Sequence, residues 1–197
     1  MNVDILKYEK AFAWLGNAML VSPNLFGDTL PIADIWKVFP SINKEIDLMV
    51  SDILQFIEEQ EDFITSASLE YAQLFIGPPE PKAFPWQSNY EENIDYGFGK
   101  SAIDMREIIR GLGLSTTNEF KQYDDHIGME LIVASELIKS METKKRSSQE
   151  IKEYLLTYPI HWIDDLAGKV HEHYPDGYYY KVLKIVKEIL FNLTSVL

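Results

Sequence analysis

Apolar residues recur every three or four positions along almost the whole chain, and nowhere do they alternate as a half-buried strand requires. Ile5, Tyr8, Phe12, Leu15 and Met19 mark one face of a first helix, ended by Ser22-Pro23-Asn24. A short segment carrying Ile32, Ile35, Trp36 and Phe39 stops at Pro40. Ser41 is placed to cap the next helix, whose stripe is Ile42, Ile46, Met49, Ile53 and Phe56. "SASLEYAQLFI" reads as another helix, closed by Gly77-Pro78-Pro79, and "KSAIDMREIIRGLGL" is helical until Gly111 or Gly113. Asp124 and Asp125 stand where an N-cap belongs, ahead of Ile127, Leu131, Ala134, Ile138 and Met141. Ser147 and Glu150 have the spacing of a capping box, Pro159 separates that helix from "HWIDDLAGKVHEHY", and Pro175-Asp176-Gly177 makes a turn. The last helix is expected to bury Tyr179, Val182, Val186, Ile189, Leu193 and Val196. The expected fold is all-α: a single-domain helical globule over residues 1–197 with roughly eight to ten helices. Residues 142–149 are its best-placed hinge.

The balance of charge and the missing residue types exclude several function classes. Thirty-one acidic residues against 18 basic ones give a formal charge of −13, so a phosphate backbone is a poor partner and basic peptides are natural ones. The chain has no cysteine, which removes thiolate zinc sites, iron–sulfur ligation and thiol catalysis. The opening "MNVDILKYEKAFAW" lacks the features of a signal peptide, and no apolar run approaches the length of a membrane span. Of the four histidines, His171 and His173 are two apart and diverge on a helix, while His126 and His161 stand alone. There is no Glu-x-x-His pair, no His-Glu-x-x-His, no Walker glycine loop and no G-x-S-x-G. Asp164 and Asp165 fit a solvated helix face. The expectation is a protein that is not an enzyme and uses no cofactor or metal.

Two stretches resist a purely structural reading. "FPWQSNYEE", residues 84–92, places Phe84, Trp86 and Tyr90 in a proline-rich connection beside Glu91 and Glu92. Aromatics there either fill gaps in the helical body or form a surface that holds something. "YDDHIGMEL", residues 123–131, puts Gly128 in the first turn of a helix, where glycine costs about 1 kcal/mol relative to alanine unless another backbone must come close.

In order and separation, "YAQLFIGP" (71–78), "AFPWQSNY" (83–90) and "DDHIGMEL" (124–131) resemble the signature of the TorD/DmsD chaperones, the redox enzyme maturation proteins related to NarJ. "YLLTYPIHWIDDLAGKV", around Trp162, is similar to the C-terminal block of that family. The resemblance implies an all-helical fold and a cytoplasmic chaperone, monomer or domain-swapped dimer. Such a chaperone binds the twin-arginine signal peptide of a molybdenum-cofactor oxidoreductase precursor, assists cofactor insertion and delays export until maturation. It implies Pro85, Trp86, Ser88, Tyr90, Asp125 and His126 as peptide contacts. Asp124 stands where the family commonly has proline, Gln73 where it has arginine, and Tyr158 near the place of a histidine. Physically, Asp124, Asp125, Glu91, Glu92 and Asp95 suit two guanidinium groups, and Phe84, Trp86, Tyr90 and Tyr96 suit an apolar stretch and cation–π contact. The alternatives are a helical nucleotide (GTP)-binding hydrolase, for which the sequence offers no phosphate cradle, and a general adaptor for basic peptides.

Overall fold

A computed structural model describes residues 3–25, 32–91, 99–114, 122–143 and 145–197. Nine α-helices occur among them: α1 Val3–Leu20, α2 Ile32–Lys37, α3 Lys44–Glu58, α4 Phe63–Tyr71, α5 Lys100–Gly111, α6 Ile127–Glu142, α7 Ser148–Thr157, α8 Pro159–His173 and α9 Tyr178–Val196. The described residues contain no strand, only an isolated antiparallel bridge. The helical period therefore predicts the architecture correctly.

The broadest helix contact is α1 on α6, while α9 lies centrally and packs against α8, α3, α1, α4 and α7. Glycine sets the α1–α6 distance. A Cβ on Gly16 would lie 2.7 Å from the Gly128 carbonyl oxygen, and one on Gly128 would lie 2.6 Å from the Gly16 carbonyl oxygen. The close backbone approach that would justify a first-turn glycine is therefore present.

Helix ends follow the expected chemistry with three corrections. The capping box of Ser147 and Glu150 forms, and Pro159 occupies the first turn of α8. Asn43, not Ser41, caps α3: its Oδ1 accepts from Ile46 N–H at 2.9 Å, and Ser41 instead donates to Asp47. The helix starts later than the stripe suggests, and both residue types cap well. The stretch 66–76 is not one regular helix, because α4 passes at Ala72 into a π-helical turn, Ala72–Ile76. That turn ends at Gly77, whose φ of 86° favours glycine. Val196 is 62% exposed rather than buried, since the last turn of α9 projects beyond the core.

The start of α9 is fixed from a distance. Glu70 of α4 is buried, and its carboxylate accepts from Tyr178 N–H at 3.0 Å and Tyr179 N–H at 2.8 Å. Burial nevertheless raises its pKa above the ordinary value against these two bonds. Gly177 permits the approach, for a Cβ there would lie 2.6 Å from Glu70 Oε1.

Candidate functional site

The proline-rich connection returns to the body as a strap, residues 84–91, and crosses the segment that leads into α6. Ile127 N–H donates to the Pro85 carbonyl at 2.9 Å, and Gln87 N–H donates to the Asp125 carbonyl at 3.0 Å. These bonds make Trp86 and His126 an antiparallel bridge pair. The second and third sequence motifs are thus one joint in space.

Asp125 holds that joint from its side chain. Its Oδ2 accepts from Ser88 N–H at 2.8 Å and from Ser101 Oγ, on α5, at 3.0 Å. Asp125 is wholly buried, so one carboxylate links the strap, α5 and the entry to α6. Asp124 turns the other way and accepts from Arg106 Nε at 2.7 Å. Neither aspartate caps α6, contrary to the sequence expectation. The cap is His126, whose Nδ1 accepts from Gly128 N–H at 3.0 Å. The aspartates are committed elsewhere, and His126 has the extended backbone that a cap requires. His126 is fully buried, and burial lowers its pKa to about 3, so the ring is neutral with its proton on Nε2.

The aromatic residues are partly core and partly surface. Phe84, Trp86 and Tyr90 are each half-buried, whereas Pro85 and Ser88 are buried. Around Trp86 stand Phe84 at 6.2 Å, Tyr123 at 5.6 Å and His126 at 6.2 Å between ring centroids. Tyr90 OH donates to the Phe84 carbonyl at 2.9 Å and its ring packs on Trp162 at 5.1 Å, which closes the strap. Glu91 is half-buried at the strap's end, and Glu92, Asp95 and Tyr96 lie outside the described residues.

Sequence reasoning does not single out Glu130, which the structure places at the centre of this region. It accepts from Trp162 Nε1 at 3.0 Å, and its backbone carbonyl accepts from Tyr154 OH at 2.8 Å. Burial raises its pKa well above the ordinary value, helped by the negative charges of Asp125 and Glu91. A signal is present: Glu130 lies three residues after Ile127 and four before Ala134, on the apolar stripe of α6. The described residues bring together no group of three or more side chains able to hold a metal, and none of their helices is long and apolar enough to cross a membrane.

Comparison with known proteins shows what the chain is similar to. The family model "Nitrate reductase delta subunit" matches residues 40–168, which include the strap, Asp125, His126, Glu130 and Trp162. The chain is 28% identical over 98 residues to the probable Tat proofreading chaperone DmsD of Haemophilus influenzae, covering 50% of this chain and 47% of that one. It is 27% identical over 156 residues to the chaperone protein TorD of Vibrio atlanticus, covering 74% of this chain and 70% of that one. To TorD of Aliivibrio fischeri it is 26% identical over 116 residues, with coverages of 59% and 53%. The matches to the Haemophilus and Aliivibrio proteins thus span about half the length of those relatives. On the match to residues 40–168, the chain belongs to the nitrate reductase delta subunit family, the family of NarJ and TorD.

Proposed function

We propose that the chain is a cytoplasmic chaperone that binds the twin-arginine signal peptide of a molybdenum-cofactor oxidoreductase precursor, assists cofactor insertion and delays export until the enzyme is mature. The relatives named as Tat proofreading and TorD chaperones support the class of this reading. The observation that carries it is Trp86, a half-buried indole among other aromatics on a strap pinned to the body by buried polar bonds. A rigidly held aromatic at the edge of an acidic protein suits the apolar stretch of such a peptide, while the acidic surface suits its arginines. Binding of this kind is reversible and requires no covalent step.

The test is fluorescence anisotropy with a labelled synthetic peptide that carries two arginines followed by an apolar helix-forming stretch. Trp86→Ala is expected to weaken binding by about 2 kcal/mol, the usual loss for an aromatic anchor. Helical content by circular dichroism is expected to stay unchanged, because the ring is only partly buried and stands on the strap rather than in an α-helix. A wild-type protein that does not bind the peptide overturns the reading. A variant that loses its fold while wild type binds assigns Trp86 to the core alone.

A further inference from the structure

Small residues on α1 leave room beside α2 and the start of α9. Ala13, Trp14 and Ala18 of α1, Ile32 of α2, and Tyr178 and Tyr179 of α9 line a cavity of about 440 Å³. Small-molecule sites commonly span roughly 300–1,000 Å³. Among its described lining residues, none belongs to the strap or to the segment leading into α6. The cavity has an open end and a closed one. Lys10 and Asn17 are exposed at its rim, whereas Ala18, Ile32, Tyr178 and Tyr179 are buried. Tyrosines that line the cavity without reaching the surface stand at its inner end.

The tyrosine hydroxyls around that end differ in one respect. Tyr71 and Tyr178 pack on the Tyr179 ring, at 5.5 Å and 5.1 Å between centroids. Tyr71 OH donates to the Leu20 carbonyl at 2.9 Å, and Tyr178 OH accepts from Trp36 Nε1 at 3.1 Å. The Tyr179 hydroxyl is buried and has no hydrogen-bond partner among the described residues. A buried polar group left unpaired is destabilising, so it calls for a partner from outside the fold. Water is a poor one. A buried water needs about three polar contacts, and the other buried side chains of the lining, Ala18, Pro23 and Ile32, are apolar.

We propose that this cavity binds an uncharged, largely apolar small molecule whose polar atom, a carbonyl or ether oxygen, accepts a hydrogen bond from the Tyr179 hydroxyl. The class of ligand follows from the walls. A phenol keeps its proton at neutral pH and so donates to such an oxygen. A carboxylate or ammonium group at the inner end would lose its hydration without a charged partner. The charged residues among the described lining, Glu9 and Lys10, are not buried with the tyrosines. Trp14, half-buried in the wall, adds aromatic contact for the body of the molecule. The site stands apart from the joint, and its occupation does not depend on peptide binding.

The experiment titrates the full chain with 1-tetralone and with tetralin, which share a carbon skeleton and differ in the ketone oxygen. Binding is followed by two-dimensional NMR of the labelled protein, with the Trp14 indole N–H as the local reporter. Wild type is expected to bind both probes and to move the Trp14 resonance with each. Tyr179→Phe removes only the hydroxyl. It is expected to weaken 1-tetralone binding about fivefold, the usual effect of one neutral hydrogen bond, and to leave tetralin binding unchanged. Its urea midpoint is expected to equal or exceed that of wild type, because the hydroxyl has no internal bond to lose. Ala13→Phe, which fills the cavity from α1, is expected to abolish binding of both probes. Wild type that binds neither probe, or an Ala13→Phe protein that binds them as wild type does, overturns the site. An equal response of the two probes to Tyr179→Phe overturns the role of the hydroxyl. So does a less stable Tyr179→Phe protein, since the hydroxyl would then have a partner inside the fold. Should Ala13→Phe not fold, the Tyr179→Phe comparison and the Trp14 resonance decide alone.

Discussion

A single methyl group added at Gly128 is expected to destabilise the fold by about 3 kcal/mol, the upper end of ordinary overpacking. The added carbon of Gly128→Ala would sit 2.6 Å from the Gly16 carbonyl oxygen and 2.6 Å from Leu20 Cγ. Leu20 could change rotamer, but a backbone carbonyl inside α1 cannot move alone. Relief requires α1 to withdraw from α6 along the broadest helix contact in the molecule. Gly16→Ala meets the Gly128 carbonyl oxygen at 2.7 Å and is expected to behave alike. A methyl group on Gly168, in α8, would meet nothing within 4 Å, so Gly168→Ala is expected to stabilise by about 0.5–1 kcal/mol through helix propensity alone. Urea denaturation of the three variants checks the contrast. A Gly128→Ala protein as stable as wild type would mean that the two helices do not cross at these glycines.

Acid is expected to weaken the fold through His126, and the direction follows from its environment. Burial holds the imidazole at about 3, against an ordinary value of 6.5. Above pH 6.5 the ring is neutral whether the chain is folded or not, and its contribution to stability is fully present. As pH falls from there towards 3, the unfolded chain takes up the proton first, and stability declines by about 1.4 kcal/mol per unit. Protonation also removes the Nδ1 lone pair that caps α6. His126→Asn supplies a cap without a titrating group. The stability advantage of wild type over His126→Asn is therefore expected to shrink by an amount of the order of 4 kcal/mol between about pH 7 and about pH 3. Glu130 acts in the opposite sense, because a carboxyl with a raised pKa loses stability as pH rises through that value. It is common to both proteins and cancels in the difference. Denaturant midpoints across this pH range provide the measurement. A difference that does not change with pH would show that the ring is not buried as a neutral cap.

How much of this is readable from the residues alone depends on range. Faces of helices are legible because their period is local: Phe12, Leu15, Ile46, Ile53, Leu131 and Ile138 are all fully buried. The capping box at Ser147 and the break at Pro159 between α7 and α8 are legible for the same reason. Nothing in residue spacing would produce the spatial meeting of "FPW" with "DDHI". The role of Asp125 escapes a local reading because its partners, Ser88 and Ser101, are 37 and 24 positions away, and a local rule assigns an aspartate at that place to a cap. The π turn at Ala72–Ile76 leaves no mark in an apolar pattern that fits a regular helix equally well. Glu130 is within reach of sequence reasoning, since a carboxylate on a buried stripe calls for an explanation.

The position of α9 bears on the order in which the molecule can be assembled. Nine residues of this last helix are buried, and it packs against α1, α3, α4, α7 and α8. Its first turn is anchored by Glu70, whose bonds to Tyr178 and Tyr179 close loops of 108 and 109 residues. During synthesis the chain emerges from its N-terminal end, so the earlier helices are made while the column they surround is still missing. Contacts of such long separation carry their loop-closure entropy before they return any burial energy. Until α9 emerges, the apolar faces prepared for it stay open to solvent, and the nascent protein is itself an aggregation-prone chain.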